Sequence, residues 1–344
     1  MKTSDLSFTY PLDLVATEPH YPPRVMGVLN SSPEELTFQQ LLEVFQAGDV
    51  LVVNNTRVIP CRVKALDLRG NKVDVLFIKR LNSHQWEVLY PASKYKKEKL
   101  MLPEQITLEW VQGGLPQKIQ LSQEIDGEYF FRHGEAPLPP YILKAREELG
   151  LPAQSPEDQN WYQSLFAQEL GSTAAPTASL HFKSQDLEYL KLKGVEVLPL
   201  TLHVGLGTFL PVTVENLEEH PMHKEWVHIP QKTWDGIQKA KQGGHRIWAL
   251  GTTVTRALES TAAGLLGKDI KGWVGETQLF IKPGHSFQVI DVLLTNFHQP
   301  ESTLLALVSA FKDLKTVKTC YQWAMEKQFR LFSYGDLTVW FKAP

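Results

Sequence analysis

Cysteine is scarce in this chain: Cys61 and Cys320 are the only two among 344 residues and lie 259 positions apart. They cannot supply a disulfide framework, a four-ligand zinc site or the three-cysteine motif of an iron–sulfur cluster. Long apolar runs are missing too. The longest uncharged stretch, 197–214, is interrupted by Pro199, His203, Gly205, Gly207 and Pro211, and no span of about 20 apolar residues offers a transmembrane helix. The opening MKTSDLSFTYPLDL has no continuous apolar region of the kind a signal peptide needs. Neither sign of charge dominates: 35 Lys and Arg against 38 Asp and Glu leave −3, which excludes a uniformly basic nucleic-acid coat protein but not a local basic face. No G-x-x-x-x-G-K-[ST] occurs, against a Walker-type NTPase, and no G-x-S-x-G elbow, against an α/β-hydrolase. A cytoplasmic protein without membrane association is expected.

What is present is ordinary globular material, 43% hydrophobic with 22 Gly and 22 Pro, enough for about two domains with real cores. Ser32-Pro33-Glu34-Glu35 reads as a capping box opening a helix to about Ala47. The wholly apolar strand Val50–Val53 follows, as suits a sheet covered on both faces. From Cys61 to about Phe131 come short strand-like runs, Val73–Ile78, Trp86–Leu89, Ile106–Val111, Lys118–Leu121 and Glu128–Phe131, with turns at Gly70-Asn71, Gly113-Gly114 and Asp126-Gly127 and no evident helix. That texture predicts a small antiparallel β-barrel, closed by the stiff segment Pro137–Pro140. Beyond about Leu151, helices and strands alternate. Expected helices begin at Ser155 (stopped at Gly171), Ser184, Thr233, Thr252 and Ser302. Expected strands lie near Arg246–Leu250, Leu279–Ile281, Val289–Thr295 and Leu337–Phe341. The expected fold is a layered α/β domain from 1–60 and 151–344, interrupted by an inserted barrel domain at 61–150.

Polar clusters interrupt the apolar segments, several just after strands, where open α/β sheets bind ligands. Asn54-Asn55-Thr56-Arg57 follows the first apolar strand; a plain Asn turn is the bland alternative. Residues 171–182 are dense in small side chains and carry Thr177 and His181, a mobile loop or a close-approach site. His203, Gly205 and Gly207 sit in Thr201–Phe209, whose G-x-G lacks the third glycine of a dinucleotide loop because Leu210 takes its place. His220-Pro221-Met222-His223-Lys224-Glu225 has ligand-type residues but no recognised zinc spacing, and Pro221 argues against a regular helix presenting them. Gly251-Thr252-Thr253 places hydroxyls at a helix start, suited to an anion or to simple N-capping. Thr295–His298 and Phe332–Asp336 add similar polar tips.

Charge is unevenly spread. Residues 62–99 carry a net +6, so the barrel segment is expected to draw a polyanion despite the acidic total. Its Lys94-Tyr95-Lys96-Lys97-Glu98-Lys99 run is the sharpest candidate for RNA contact, with Tyr95 available to stack on an unpaired base; a solvated loop that keeps the barrel edge soluble is the alternative.

Taken together, GDVLVVNNTRVIP (48–60), PLPPYI (137–142), AAPTASLHF (174–182), TLHVGLGTFLPV (201–212), H-x-M-H-x-E (220–225), GTTVTRALES (251–260), TNFHQPESTLLALVSAF (295–311) and FSYGD (332–336) resemble the S-adenosylmethionine:tRNA ribosyltransferase-isomerase family of queuosine biosynthesis. The resemblance implies an α/β fold with a β-barrel insertion. It implies transfer of the ribosyl part of S-adenosylmethionine to preQ1 in a tRNA anticodon, giving epoxyqueuosine with release of adenine and methionine. It implies S-adenosylmethionine as donor substrate, preQ1-containing tRNA as partner, and no metal or redox cofactor; a monomer is expected. Such chemistry needs a base beside the sulfonium and an acid for departing adenine. The catalytic candidates are His181, His203, His223, Glu225, His298 and Asp336, with His203 and His223 expected in one pocket with Glu225. The substrate-binding candidates are Asn54, Asn55, Thr56, Arg57, Thr177, Gly205, Gly207, Thr252, Thr253, Asn296, Ser333 and Tyr334, and the tRNA candidates Lys94, Tyr95, Lys96, Lys97 and Lys99. Two rival readings stand beside this one. A non-catalytic RNA-binding relative would bind the tRNA without turnover. A nucleic-acid methyltransferase would show a glycine-rich loop where Asn54–Arg57 stands.

Overall fold

The computed structural model of the chain describes residues 1–29, 32–95, 98–205, 207 and 212–342. Its centre is a ten-stranded mixed sheet whose strands run, edge to edge, 267–269, 272–277, 225–230, 196–202, 50–54, 247–250, 292–296, 337–341, 25–28 and 34–36. The four strands 196–202, 50–54, 247–250 and 292–296 are mutually parallel, so Leu202, Asn54, Leu250 and Asn296 end at one edge. Strand periodicity explains why the run Val50–Val53 is apolar throughout. Val50 and Val52 pack with the helices 231–242, 252–262 and 303–311, whereas Leu51 and Val53 pack with the helices 38–44 and 184–192 on the other face. Trp248 and Leu250 join that second core while Ile247 and Ala249 join the first.

The basic segment forms a six-stranded antiparallel barrel in the order 62–66, 72–80, 85–89, 117–121, 107–112 and 100–101, closed where Leu66 pairs with Met101. Residues 134–135 add to the edge of 62–66. Its own core holds Val63, Val75, Phe77, Val88, Leu108 and Ile119. Closure removes the sheet edges that would otherwise be left to aggregate. Among the described residues no helix is long and apolar enough to cross a membrane.

Several local expectations are corrected. The helix near residue 40 starts later: Thr37 caps Phe38–Val44 through Gln40 in a full capping box, and Glu34–Leu36 is an edge strand. Glu128–Phe131 is helical, not extended, because Asp126 accepts from Tyr129 N–H and starts a helix over Gly127–His133 that buries Phe130 in the barrel. The Ser155 segment yields one turn, Asp158–Trp161, held by the buried Arg146–Asp158 pair at 2.7 Å, and Gly171 lies inside the strand Glu169–Ser172. Residues 279–281 are not a strand; the sheet uses Gly272–Thr277 instead.

Candidate active site

A cavity of about 490 Å³ opens over the carboxyl ends of strands 247–250 and 292–296, a size usual for small-molecule sites. Its lining includes Thr177, Gly207, His223, Glu225, Thr252, Thr253, Asn296, His298 and Ser333, nine of the residues singled out from sequence. On one wall the buried Glu225 carboxylate is ion-paired with the buried Arg256 guanidinium and accepts weakly from Gly205 N–H at 3.5 Å. Arg256 Nε donates to Leu279 O at 3.1 Å, while its Nη2, also buried, has no partner among the described residues. Arg256 stands one turn after Thr252, on the helix whose first turn faces the cavity without a side-chain cap. Open first-turn N–H groups and a guanidinium with a spare donor make this wall suited to a carboxylate. His220, on the same wall, is held below the ordinary histidine range by burial and then by neighbouring His223. A Cβ on Gly207 would come within 3.1 Å of His223 Cδ2, so the Gly207 backbone lies close to that ring.

The opposite wall carries His298, whose Nε2 meets Thr295 Oγ1 at 3.0 Å and whose backbone N–H donates to Tyr321 Oη at 2.9 Å. Burial holds this imidazole down to about 3, so it is neutral at physiological pH. Asn296 Nδ2 donates to Phe332 O at 3.1 Å and to His181 Nε2 at 2.9 Å, leaving its buried Oδ1 without a partner among the described residues. His181 lies behind Asn296, outside the cavity lining, and burial, then the Arg330 charge, brings it down to about 3.

Other expected site residues stand elsewhere. His203 does not share the cavity with His223 and Glu225. Its Nδ1 meets Thr56 Oγ1 at 2.8 Å and its ring stacks on Trp226 at 5.1 Å, because it leaves strand 196–202 on the side facing Gly171. Burial lowers its pKa, with Glu169 pulling the other way. Asn54 clamps the neighbouring strand, donating to Leu202 O at 2.9 Å and accepting from Leu202 N at 3.0 Å, and it reaches Thr253 Oγ1 at 3.3 Å. Asn55 accepts from Thr201 Oγ1 at 2.7 Å. Asp336 is likewise a loop organiser, accepting from the backbone of Arg24 at 3.0 Å and of Arg330 at 2.7 Å; burial raises its pKa. Tyr334 is buried beside Tyr162, and Arg57 lines a second cavity.

On the barrel, Tyr95 is buried in the core and presents no face to a base. Lys99 is ion-paired with Glu109 at 2.6 Å and Lys94 is exposed, while Lys96 and Lys97 lie outside the described residues. Among the described residues no three His, Cys, Asp or Glu side chains form a metal-binding group.

Sequence reasoning passed over Arg256 and Tyr141. Arg256 follows Thr252 at helical i+4 spacing, which places both on one face; Tyr141, lining the cavity and bonded to Ser333 Oγ, carried no local signal. Gly251 is required by backbone geometry: its φ of +99° with ψ of 159° is a region essentially reserved for glycine. Gly251→Ala is expected to lose about 1–3 kcal/mol, read as a lowered denaturant midpoint; an unchanged midpoint would show that the turn relaxes.

Residues 3–339 match the family described as queuosine biosynthesis protein. The chain is 41% identical to the S-adenosylmethionine:tRNA ribosyltransferase-isomerase of Syntrophotalea carbinolica and 38% identical to that of Geotalea uraniireducens, covering 98% of each chain in both pairings. It also resembles the crystal structure of S-adenosylmethionine tRNA ribosyltransferase from Thermotoga maritima, at 28% identity and a TM-score of 0.54 over 98% of this chain and 99% of that one. With the family matched along nearly its whole length and its α/β sheet and inserted barrel in place, this chain belongs to the queuosine biosynthesis protein family.

Proposed function

We propose that this chain transfers and isomerises the ribosyl part of S-adenosylmethionine onto preQ1 in a tRNA anticodon, forming epoxyqueuosine and releasing adenine and methionine. The observation that carries the reading is the cavity over the parallel strand ends. It combines an anion-suited wall at Thr252, Thr253 and Arg256 with imidazoles on two sides. In this reading the amino-acid carboxylate of the donor sits at the helix start beside Arg256 Nη2. His223, with His220 beside it, is placed to take the proton next to the sulfonium. The neutral His298 and the unpartnered Asn296 Oδ1 face the departing adenine and the incoming amine as hydrogen-bonding groups. His181 and His203 act as positioning residues through Asn296 and Thr56, and the enzyme works in the cytoplasm as a monomer.

The direct test is release of adenine from S-adenosylmethionine by the purified protein with preQ1-containing tRNA. Release that depends on the tRNA is the expected result. No adenine, or formation of S-adenosylhomocysteine, overturns the reading in favour of a binding protein or a methyltransferase. His223→Ala is expected to lower turnover by about 10²–10⁴-fold with donor binding retained; full activity would remove His223 from the proton path.

A further inference from the structure

A second cavity, about 680 Å³, lies between the barrel and the large sheet. One side is built by Tyr21, Ser179, Leu180, Phe182 and Lys183, the other by Arg57, Phe131 and Pro137, and residues 159–165 form the floor. It shares a wall with the first cavity, because Tyr162 lines both. Its chemistry differs from that of the first. Arg57 lies over the Phe131 ring at 5.5 Å and Lys183 Nζ over the Tyr21 ring at 3.7 Å, and among the described residues neither cation is ion-paired. Asp186, three residues from Lys183, is occupied: it accepts from Tyr21 Oη at 2.9 Å and from Lys183 N. Trp161 adds a third, half-buried aromatic face. Ser179, fully buried in the lining, keeps a hydroxyl without a partner among the described residues.

Unneutralised cations beside aromatic faces are what unstacked RNA requires: the rings take bases, the cations take phosphates, and the pairing tolerates sequence. The barrel lysines fit less well, since Tyr95 is buried and Lys99 is already matched by Glu109. We infer that this second cavity binds a nucleotide of the anticodon loop flanking the modified position, its base against Trp161 and its phosphates at Arg57 and Lys183. The inference rests on the tRNA substrate proposed above. It makes the shared Tyr162 wall the boundary between the reacting nucleotide and its neighbour.

The test measures binding of a preQ1-containing anticodon stem-loop as a function of salt, with S-adenosylmethionine binding measured separately on the same preparations. For Arg57→Gln/Lys183→Gln we expect about ten-fold weaker stem-loop binding and a salt slope shallower by roughly 1.4, the loss of two single-strand phosphate contacts. Trp161→Ala is expected to lose about ten-fold, Trp161→Phe to retain most of the affinity, and all three to bind S-adenosylmethionine as wild type does. Lys94→Gln, on the barrel, should change the slope less than the double variant. Unchanged stem-loop affinity and slope in the double variant and in Trp161→Ala would overturn the assignment. Adenine release by the wild type, run in parallel, reports on the reaction alone, so failure of the cavity assignment is told apart from failure of the proposed chemistry.

Discussion

Glu225→Gln is expected to cost about 3–5 kcal/mol of stability, because it strands the buried Arg256 guanidinium without its counter-charge. The same change should lower turnover by at least about 10²-fold, since Arg256 and the adjoining helix start are the proposed carboxylate site. The two effects can be separated. In Glu225→Met/Arg256→Met both charges are removed together, and a well-packed apolar replacement of a buried pair is often neutral for stability. Stability should therefore return in the double variant while binding of S-adenosylmethionine does not. The checks are chemical denaturation for the first effect and titration calorimetry with S-adenosylmethionine for the second. A double variant that is both stable and fully competent to bind the donor would reduce the pair to a structural tie.

Acid should destabilise this protein steeply. His181 and His298 are held down to about 3 by burial, against 6.5 for a free imidazole. Between those values the unfolded chain takes up protons that the native state refuses, so stability is complete above about pH 6.5 and falls as pH drops. Each histidine contributes about 1.4 kcal/mol per pH unit, so the pair should remove about 4 kcal/mol between pH 6.5 and 5. That is a large part of the roughly 5–15 kcal/mol that folded proteins command. Denaturant midpoints taken from pH 7.5 to 5 read the effect, and His181→Asn or His298→Gln should each halve the slope. A midpoint flat across that window would show that water reaches both rings.

Elements with a strong local signal were legible from residue order. The apolar run Val50–Val53, the helix opening at Thr252 and the strand Leu337–Phe341 all stand where they were read. So were most barrel strands, because alternation and Gly turns are properties of neighbouring residues. Short segments with two local solutions were not. Ser32-Pro33 and Thr37–Gln40 both spell a helix start, and the pairing of Glu34–Leu36 with Val25–Gly27 decided for the later one. Tyr129-Phe130-Phe131 fits a strand as well as a helix, and the Asp126 cap and the barrel core decided for the helix.

For the site, residue types and motif order identified which loops matter, and the family resemblance supplied a reaction. Which side chains share a cavity depends on contacts between segments far apart in the chain. Glu225 meets Arg256 across 31 positions and Asn296 meets His181 across 115. His203 is turned to Thr56 and away from His223 by the strand it leaves, a direction set by the pleat and by the close pass of Gly171. The central strands 50–54, 247–250, 292–296 and 337–341, most of the barrel and the set of polar tips follow from residues near one another in the chain, whereas the flanking sheet strands at 25–28, 34–36, 225–230, 267–269 and 272–277 carried no such local signal. The partition of those tips into cavity walls, loop clamps and a second cavity came from how strands order in the sheet and where the barrel packs, contacts that no local pattern encodes.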